Sequence, residues 1–334
     1  MSGSAWQGLA ARCLFGAVDG WGGRRLPILI FHRVLPQPDP LFPEEMCAQR
    51  FDALMAVVSR SLQSLTLSQG ASRLQDGSLP PRPVVITFDD GYADNADVAL
   101  PILRKHRLCA SFFVSTGFLD GGRMWNDTVI ECLRRCRHDS VDLGRFGLGR
   151  LPLTGPADRR RAIDALLPIV KYQGLAERER SLTVLHALCG HPALPDDLMM
   201  QSGQVAALHA AGMEIGAHTV HHPILQRVPL VEAEAEIVQG RQRLQQITGA
   251  PVQVLAYPNG KPGVDYGVEH VALVRRLGFR YAVSTAAAIA AATDDPLQLP
   301  RFTPWDRSPM RWALRLAMAH RQARGPQQAV ASAA

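Results

Sequence analysis

Val84-Val85-Ile86-Thr87-Phe88-Asp89-Asp90-Gly91-Tyr92 is the stretch from which the fold can be read. The run from Val84 to Phe88 reads as a strand buried on both faces, the kind that parallel sheets covered by helices contain. It ends abruptly in two adjacent carboxylates and a glycine, the position at which an α/β barrel presents chemistry on the C-terminal rim of its strands. Successive strand residues point to opposite sides, so Asp89 and Asp90 cannot share one environment while both stay extended. A division of labour follows, with one carboxylate for a cation and the other for a proton. Taken alone, the three residues also fit an Asp-Gly turn whose acids cap the next helix.

Working outward, the flanks repeat the pattern. Upstream, Pro27-Ile28-Leu29-Ile30-Phe31 is a short apolar run that delivers His32 to the same rim. Residues 44–61 carry apolar side chains at helical spacing (Phe51, Leu54, Met55, Val58), and a polar connection leads to the central strand. Downstream, a helix from Asp94 or Ala96 to Lys105 precedes the strand 109–114 and a glycine turn at Gly121-Gly122, which predicts a parallel βαβ unit.

From Arg123 to about Met199 the rhythm stops. Helical segments at 128–137 and 158–170, many arginines and no convincing strand predict a helical insertion on a barrel loop. Within it Phe146-Gly147-Leu148-Gly149 is too short a glycine pattern to mark a nucleotide site. The run Arg159-Arg160-Arg161 reads as a solvated helix face. Trp125, beside Asn126 and Asp127, is a candidate for stacking on a sugar ring, with a core role as the alternative.

The rhythm then resumes with a helix at 203–211 and the strand 213–217, which runs into His218-Thr219-Val220-His221-His222-Pro223. A long amphipathic helix at 230–248 follows, acidic early and basic late as its dipole favours. The strand 252–256 ends in Tyr257-Pro258-Asn259-Gly260, a helix at 269–277 and a strand at 280–284 come next, and residues 297–302 form a last short strand. Pro300 predicts that this one is an edge. Beyond Met310 a surface helix and an Ala/Gln-rich, fraying end are expected.

With 334 residues and 47% hydrophobic content, the chain is globular and can bury a sizeable core. Its 36 basic and 30 acidic residues leave a net charge of +6, mild for this length. The arginines lack the aromatic interleaving of a nucleic-acid groove, so no nucleic-acid partner is expected. Six cysteines without framework spacing suit reduced thiols. The N-terminal patch around Leu9 to Val18 lacks the features of a secretory signal, and no stretch is long enough to span a bilayer, which favours a cytoplasmic location. The organisation expected is an N-terminal segment 1–24, a barrel 25–306 and a C-terminal helix and tail 307–334.

Three polar clusters thus stand at strand ends, Asp89-Asp90, His218 with His221-His222, and Tyr257-Pro258-Asn259-Gly260, with His32 at a fourth. In one parallel barrel all four meet on one rim. Two histidines and one carboxylate make a ligand set that leaves positions open for water and substrate, as hydrolytic metal centres do.

Thr87-Phe88-Asp89-Asp90-Gly91 and His218-Thr219-Val220-His221-His222-Pro223 resemble the first two motifs of polysaccharide deacetylases, the carbohydrate esterase family 4 or NodB-homology enzymes. Tyr257-Pro258-Asn259-Gly260 looks like a form of the third. The resemblance runs from about Pro27 to Phe302, outside the insertion. It implies a distorted (β/α)7 TIM-like barrel that removes acetyl groups from N-acetylhexosamines with a divalent metal, zinc first and cobalt, nickel or iron as alternatives. Carried over by position, Asp89 is the general base, Asp90, His218 and His222 hold the metal, and the backbone N–H of Asn259 is an oxyanion donor.

Some family features are missing: the third-motif arginine, the later Asp/Trp motif and the C-terminal Leu-x-His that supplies the general acid. Ile30-Phe31-His32-Arg33-Val34 is similar to the arrangement in the poly-β-1,6-N-acetylglucosamine deacetylase branch, where the acid histidine follows the first strand. His32 is therefore expected as the acid. Arg301 is expected to stand in for the absent arginine beside Asp89, and Tyr257, Trp125 and Arg301 to contribute to substrate binding. The partner expected is an acetylated carbohydrate. An O-acetyl esterase and a noncatalytic carbohydrate-binding homologue are the alternatives.

Overall fold

The computed structural model describes residues 11, 13–15, 25–304, 306 and 308–321. The expected fraying end lies outside the described residues, as does most of the N-terminal patch.

Seven parallel strands form a nearly closed barrel, in the order β12 (Leu299–Arg301), β10 (Tyr281–Ala287), β9 (Val254–Ala256), β8 (Glu214–Ala217), β5 (Ser111–Val114), β4 (Pro83–Phe88) and β2 (Ile28–Phe31), while β1 (Arg25–Leu26) and β11 (Ala290–Ala291) pair antiparallel outside it. This is the distorted (β/α)7 architecture. The ring closes where Phe302 donates its N–H to Ile28 O at 2.7 Å and accepts from the Ile30 N–H at 3.2 Å. Every residue of β4 is buried, as an apolar run flanked by neighbours on both sides requires. Phe88 at its end stacks on Phe112 (4.7 Å between centroids) and Phe31 (5.4 Å) and meets Phe51 edge-on, which fixes where the following carboxylates begin.

Two stretches of the barrel differ from expectation. The polar connection before β4 contains a strand, β3 (Gln63–Leu65), paired with β4, and a helix, α2 (Leu67–Asp76). Thr66 and Gln69 close a capping box at the start of α2, and Gly77 in the left-handed region ends it. Residues 299–301 were expected as an edge, yet they are buried inside the barrel wall. Pro300 is tolerated because the β10–β12 register shifts between Val283 and Ala287, and at such a bulge a missing N–H breaks no ladder bond.

After β5 comes the insertion: α4 (Trp125–Arg135), α5 (Pro156–Lys171) and α6 (Leu175–Leu188). A short antiparallel hairpin, β6 (Ser140–Asp142) with β7 (Arg150–Pro152), also lies here, where no strand was expected. Three residues per strand are too few for alternation to show. Phe146 to Gly149 belong to its connecting loop. The insertion has its own apolar core, including Val129, Leu133, Ile163, Leu166 and Leu185 with the buried thiols of Cys132, Cys136 and Cys189. In the arginine run, Arg160 pairs with Glu44 and Asp164, and Arg161 with Asp158.

The barrel's outer layer is α1 (Ala48–Ser61), α3 (Leu100–Lys105), α7 (Ser202–Ala210), α8 (Leu230–Thr248) and α9 (Val268–Arg276). The C-terminal helix α10 (Pro309–Arg321), expected on the surface, buries Trp312, Ala313, Leu316 and Ala317 against the main core. There Trp312 meets Phe15 edge-on. No described helix is long and apolar enough to cross a membrane.

Gly240 is where α8 approaches the loop that carries the histidines. A Cβ there would lie 2.8 Å from the Thr219 carbonyl oxygen and 2.9 Å from its carbon. Helix propensity alone favours Gly240→Ala by ~1 kcal/mol. Backbone cannot rotate away as a side chain does, so overpacking wins. A net loss of about 1–3 kcal/mol in denaturant unfolding is expected, and a neutral or stabilising result would contradict the tight approach.

Candidate active site

Asp89 still belongs to the ladder, with its N–H donating to Phe31 O at 3.0 Å, whereas Asp90 turns out of it with φ +76°. The change of backbone region separates the two carboxylates. Gly91 continues the turn at φ +91°, where a Cβ would meet Val114 Cγ1 at 2.8 Å, so glycine is required. Among the described residues, Asp90, Thr219, His222 and Asn259 are all non-glycines at positive φ, and all sit in the loops after three barrel strands. Such strain collects where geometry is held for a purpose.

Asp89 is paired with Arg301. Both its oxygens accept from the guanidinium at 2.7 Å, and the two side chains are 3% and 0% exposed. Arg301 also donates to Ser284 O (2.9 Å) and Thr87 Oγ1 (3.2 Å). Burial pushes the Asp89 carboxyl upward, but Arg301 and then His218 outweigh it and hold its pKa below the ordinary carboxylate range. Asp89 is therefore an ionised acceptor at neutral pH.

Asp90 lies among histidines. Its Oδ1 is 3.4 Å from His218 Nε2 and 3.5 Å from His222 Nε2, and one donor atom from each of the three residues falls within 4.8 Å of the others. His218 Nδ1 is 2.8 Å from the Ala256 carbonyl oxygen, a contact that puts the proton on Nδ1 and leaves Nε2 turned inward. The Thr219 hydroxyl accepts from the His222 N–H at 3.1 Å and shapes the turn. Burial, then the neighbouring His218, push the His222 pKa down to about 3, which keeps that imidazole neutral. Burial opposes ionisation of Asp90, but His218 and then His222 hold its carboxyl far below the usual range. Two inward imidazoles and a carboxylate, all buried, are a donor set that fits a divalent cation of borderline softness. His221, next in sequence, points elsewhere. Its Nδ1 meets Glu236 Oε1 at 2.7 Å, while Glu236 Oε2 accepts the N–H groups of Val220 and His221.

These groups open on a cavity of about 480 Å³ lined by Asp89, Asp90, His218 and His222 together with His32 and Asn259. His32 is exposed. Its segment is held by the loop after β4: Asn95 Nδ2 donates to His32 O at 2.8 Å, and Asp94 accepts from the Val34 N–H and from Arg33 Nε, both at 2.9 Å. Among the described residues the backbone N–H of Asn259 has no hydrogen-bond partner, although its carbonyl accepts from Thr285 Oγ1 at 2.8 Å.

Of the residues expected to touch substrate, Trp125 lines the cavity, 8% exposed. Tyr257 does not. It is fully buried, its ring stacked on Tyr266 at 3.9 Å, because the chain after β9 sends it into the outer core. Arg301 is also buried, behind Asp89, and reaches the site only through that carboxylate. The sequence reading missed Lys171 and Tyr172, which α5 of the insertion brings over the cavity, and the positioning residues Asp94, Asn95 and Glu236. For Glu236 a signal existed: it is an acid on the buried side of an amphipathic helix.

A barrel with a buried Asp-His-His cluster beside a second carboxylate on its rim has the makings of a hydrolytic metal centre, and comparison with known proteins gives the family. The polysaccharide deacetylase family model matches residues 76–155 and 182–282, just over half of the chain, and the chain belongs to that family. YxkH of Bacillus subtilis (strain 168) is 34% identical over 92 residues, 27% of this chain; the match spans only 32% of that relative's length. Among solved structures, the Streptococcus pyogenes deacetylase PplD, solved in complex with acetate, superposes with a TM-score of 0.59 at 19% identity, covering 89% of this chain and 99% of that one. IcaB from Ammonifex degensii gives 0.57 at 19% identity, covering 90% and 99%. The BpsB deacetylase domain of Bordetella bronchiseptica gives 0.53 at 14%, covering 85% and 97%. These likenesses establish the shared barrel.

Proposed function

We propose that the chain is a metal-dependent deacetylase that hydrolyses the acetamide of N-acetylhexosamine units in a glycan. The observation that carries this reading is the convergence of Asp90, His218 and His222 within ligating distance of one another, beside an ionised Asp89, at one cavity. Family membership supports it. A divalent cation held by the three residues, zinc by preference, would act as a Lewis acid on the acyl oxygen and make water a better nucleophile. Asp89, kept ionised by Arg301, accepts the proton of the attacking water. The free N–H of Asn259 donates to the oxyanion that develops on the acyl group. His32 gives a proton to the departing amine, and Trp125 offers a flat face to the sugar ring. An acetate-release assay on N-acetylated and O-acetylated glycans, with chelator and metal add-back, tests the reading. Release from N-acetylated sugars that chelation stops and zinc restores is the expected result; release that survives chelation would overturn it.

His32→Ala is expected to lower turnover by about 10²–10⁴-fold, because an amine leaves poorly unless protonated. The side chain is exposed, so stability should stay within about 0.5 kcal/mol. Zinc affinity, measured by calorimetry, should be unchanged. Unaltered turnover would remove His32 from the mechanism.

A further inference from the structure

A second, larger cavity of about 970 Å³ lies between α6 and the chain leading into α4. It borders the first, because Trp125 lines both, and His221, next to the ligand candidate His222, also lines it. A polymer seated with one sugar at Asp89 and Asp90 therefore has room for further sugars past Trp125.

The chemistry of this cavity is set by arginine. Arg178, in the first turn of α6, is 5% exposed. Its guanidinium stands 5.3 Å from the Trp125 ring and makes one hydrogen bond among the described residues, from Nη2 to His221 O at 3.3 Å. No described carboxylate lies within ion-pairing distance of it, whereas Arg134, Arg135, Arg160 and Arg161 of the same insertion all have carboxylate partners. Glu236, an acid in its surroundings, is already committed to His221 and to two backbone N–H groups. Burial accordingly pulls the Arg178 pKa down to about 10, so the site disfavours the charge it contains. Arg123 lines the same space. It donates to Thr128 Oγ1 and Pro195 O and likewise lacks a described carboxylate partner. Glu179 is the one acid in the lining, against two guanidiniums, and apolar surface from Leu175, Leu182 and Leu194 completes the wall. A buried cation without a counter-ion costs stability, and an entering anion would offset that cost. The planar guanidinium suits a carboxylate or a phosphodiester, and the adjoining ring and aliphatic surface suit the faces of a sugar.

We propose that this cavity is an anion-binding subsite of the glycan-binding groove, in which Arg178, with Arg123, holds the oxyanion of an acidic sugar next to the one being deacetylated. The substrate class is then an anionic glycan, with N-acetylhexosamine beside a uronate or a phosphodiester-bearing unit. The inference rests on the deacetylase reading for the identity of the neighbouring sugar, but its test does not use turnover.

The full chain is titrated by calorimetry in the presence of chelator with three tetrasaccharides of equal length. One is neutral N-acetylhexosamine, one alternates it with hexuronate, and one carries phosphodiesters; dodecyl phosphate is a fourth probe. At least one acidic oligomer is expected to bind tenfold or more tightly than the neutral one, and which of the two does so identifies the anion. Arg178→Met should abolish the preference and Arg178→Lys retain part of it, because the lysine keeps the charge without the fork. Thermal unfolding checks that the variants are folded. Should Arg178→Met not fold, Arg123→Met carries the test, with the preference reduced at least threefold. Equal affinity for neutral and acidic oligomers, a preference that survives a folded Arg178→Met, or binding of dodecyl phosphate alone would each overturn the proposal. Absence of acetate release in the separate assay would sink the deacetylase reading while leaving this binding result intact.

Discussion

Asp90→Asn is expected to abolish both zinc binding and acetate release while leaving the protein folded. Asparagine matches the shape of aspartate, so the turn at φ +76° is preserved, and asparagine tolerates that region better than most residues. The change removes only the negative charge between His218 Nε2 and His222 Nε2. Two imidazoles without a carboxylate then face the position that the cation would occupy, and a doubly charged ion loses the one anionic ligand that offsets its desolvation. Lewis-acid stabilisation of a hydrolytic transition state is worth several kcal/mol, so turnover should drop by about 10³-fold or more. A second readout does not depend on catalysis. Ligand binding to the native state raises its stability by about 4 kcal/mol at a thousandfold excess over Kd. Zinc should therefore raise the melting temperature of the wild type but not of Asp90→Asn. Asp89→Asn is the contrasting variant: it should lose turnover and keep the zinc-induced shift. An Asp90→Asn protein that zinc stabilises as much as the wild type would dissolve the proposed ligand set.

Much of this site was legible because its parts are local. A buried run ending in Asp89-Asp90-Gly91, and another ending in His218, announce strand ends, and the barrel brings strand ends to one rim. What adjacency in sequence concealed was direction. Tyr257 stands two residues from Asn259 in the same short motif, yet its ring faces Tyr266 in the core while Asn259 borders the cavity. Residues i and i+2 of a strand share a side, so the pleat alone would put both on one face; the left-handed turn at Asn259, φ +58°, is what parts them, and a motif read as a unit does not show it. Barrel closure was obscured for another reason. Pro300 argues against an interior strand unless a bulge relieves it, and a register shift has no signature in one strand read alone. The reach of the insertion over the cavity was likewise hidden, since Lys171 and Tyr172 arrive there through packing of the insertion's own apolar core.

Arg301→Met is the substitution from which the largest loss of stability is expected. Arg301 ties three strands together: it sits on β12, donates to Ser284 O in β10, and donates to Thr87 Oγ1 in β4 and to both oxygens of Asp89 just beyond it. The intact ion pair need not contribute much net stability, since desolvating both groups consumes most of their attraction. Removing one partner is a different matter, because Asp89 remains 3% exposed with its main counter-ion gone and the weaker influence of His218 left. Unfolding should become easier by about 3–5 kcal/mol. Adding Asp89→Leu to Arg301→Met should recover a large part of that loss, since the isolated charge is then gone. A double variant as unstable as Arg301→Met would mean that the arginine acts through packing and strand closure instead. The single variant should also lose turnover beyond what reduced folding explains. Without the guanidinium, burial raises the Asp89 pKa unopposed by its main counter-ion, and a protonated carboxyl cannot accept the proton of water. Measuring turnover per folded molecule, with folding followed by circular dichroism, separates the two effects. The arginine that ties β12 to β10 and β4 is in this way also the group that keeps the base ionised.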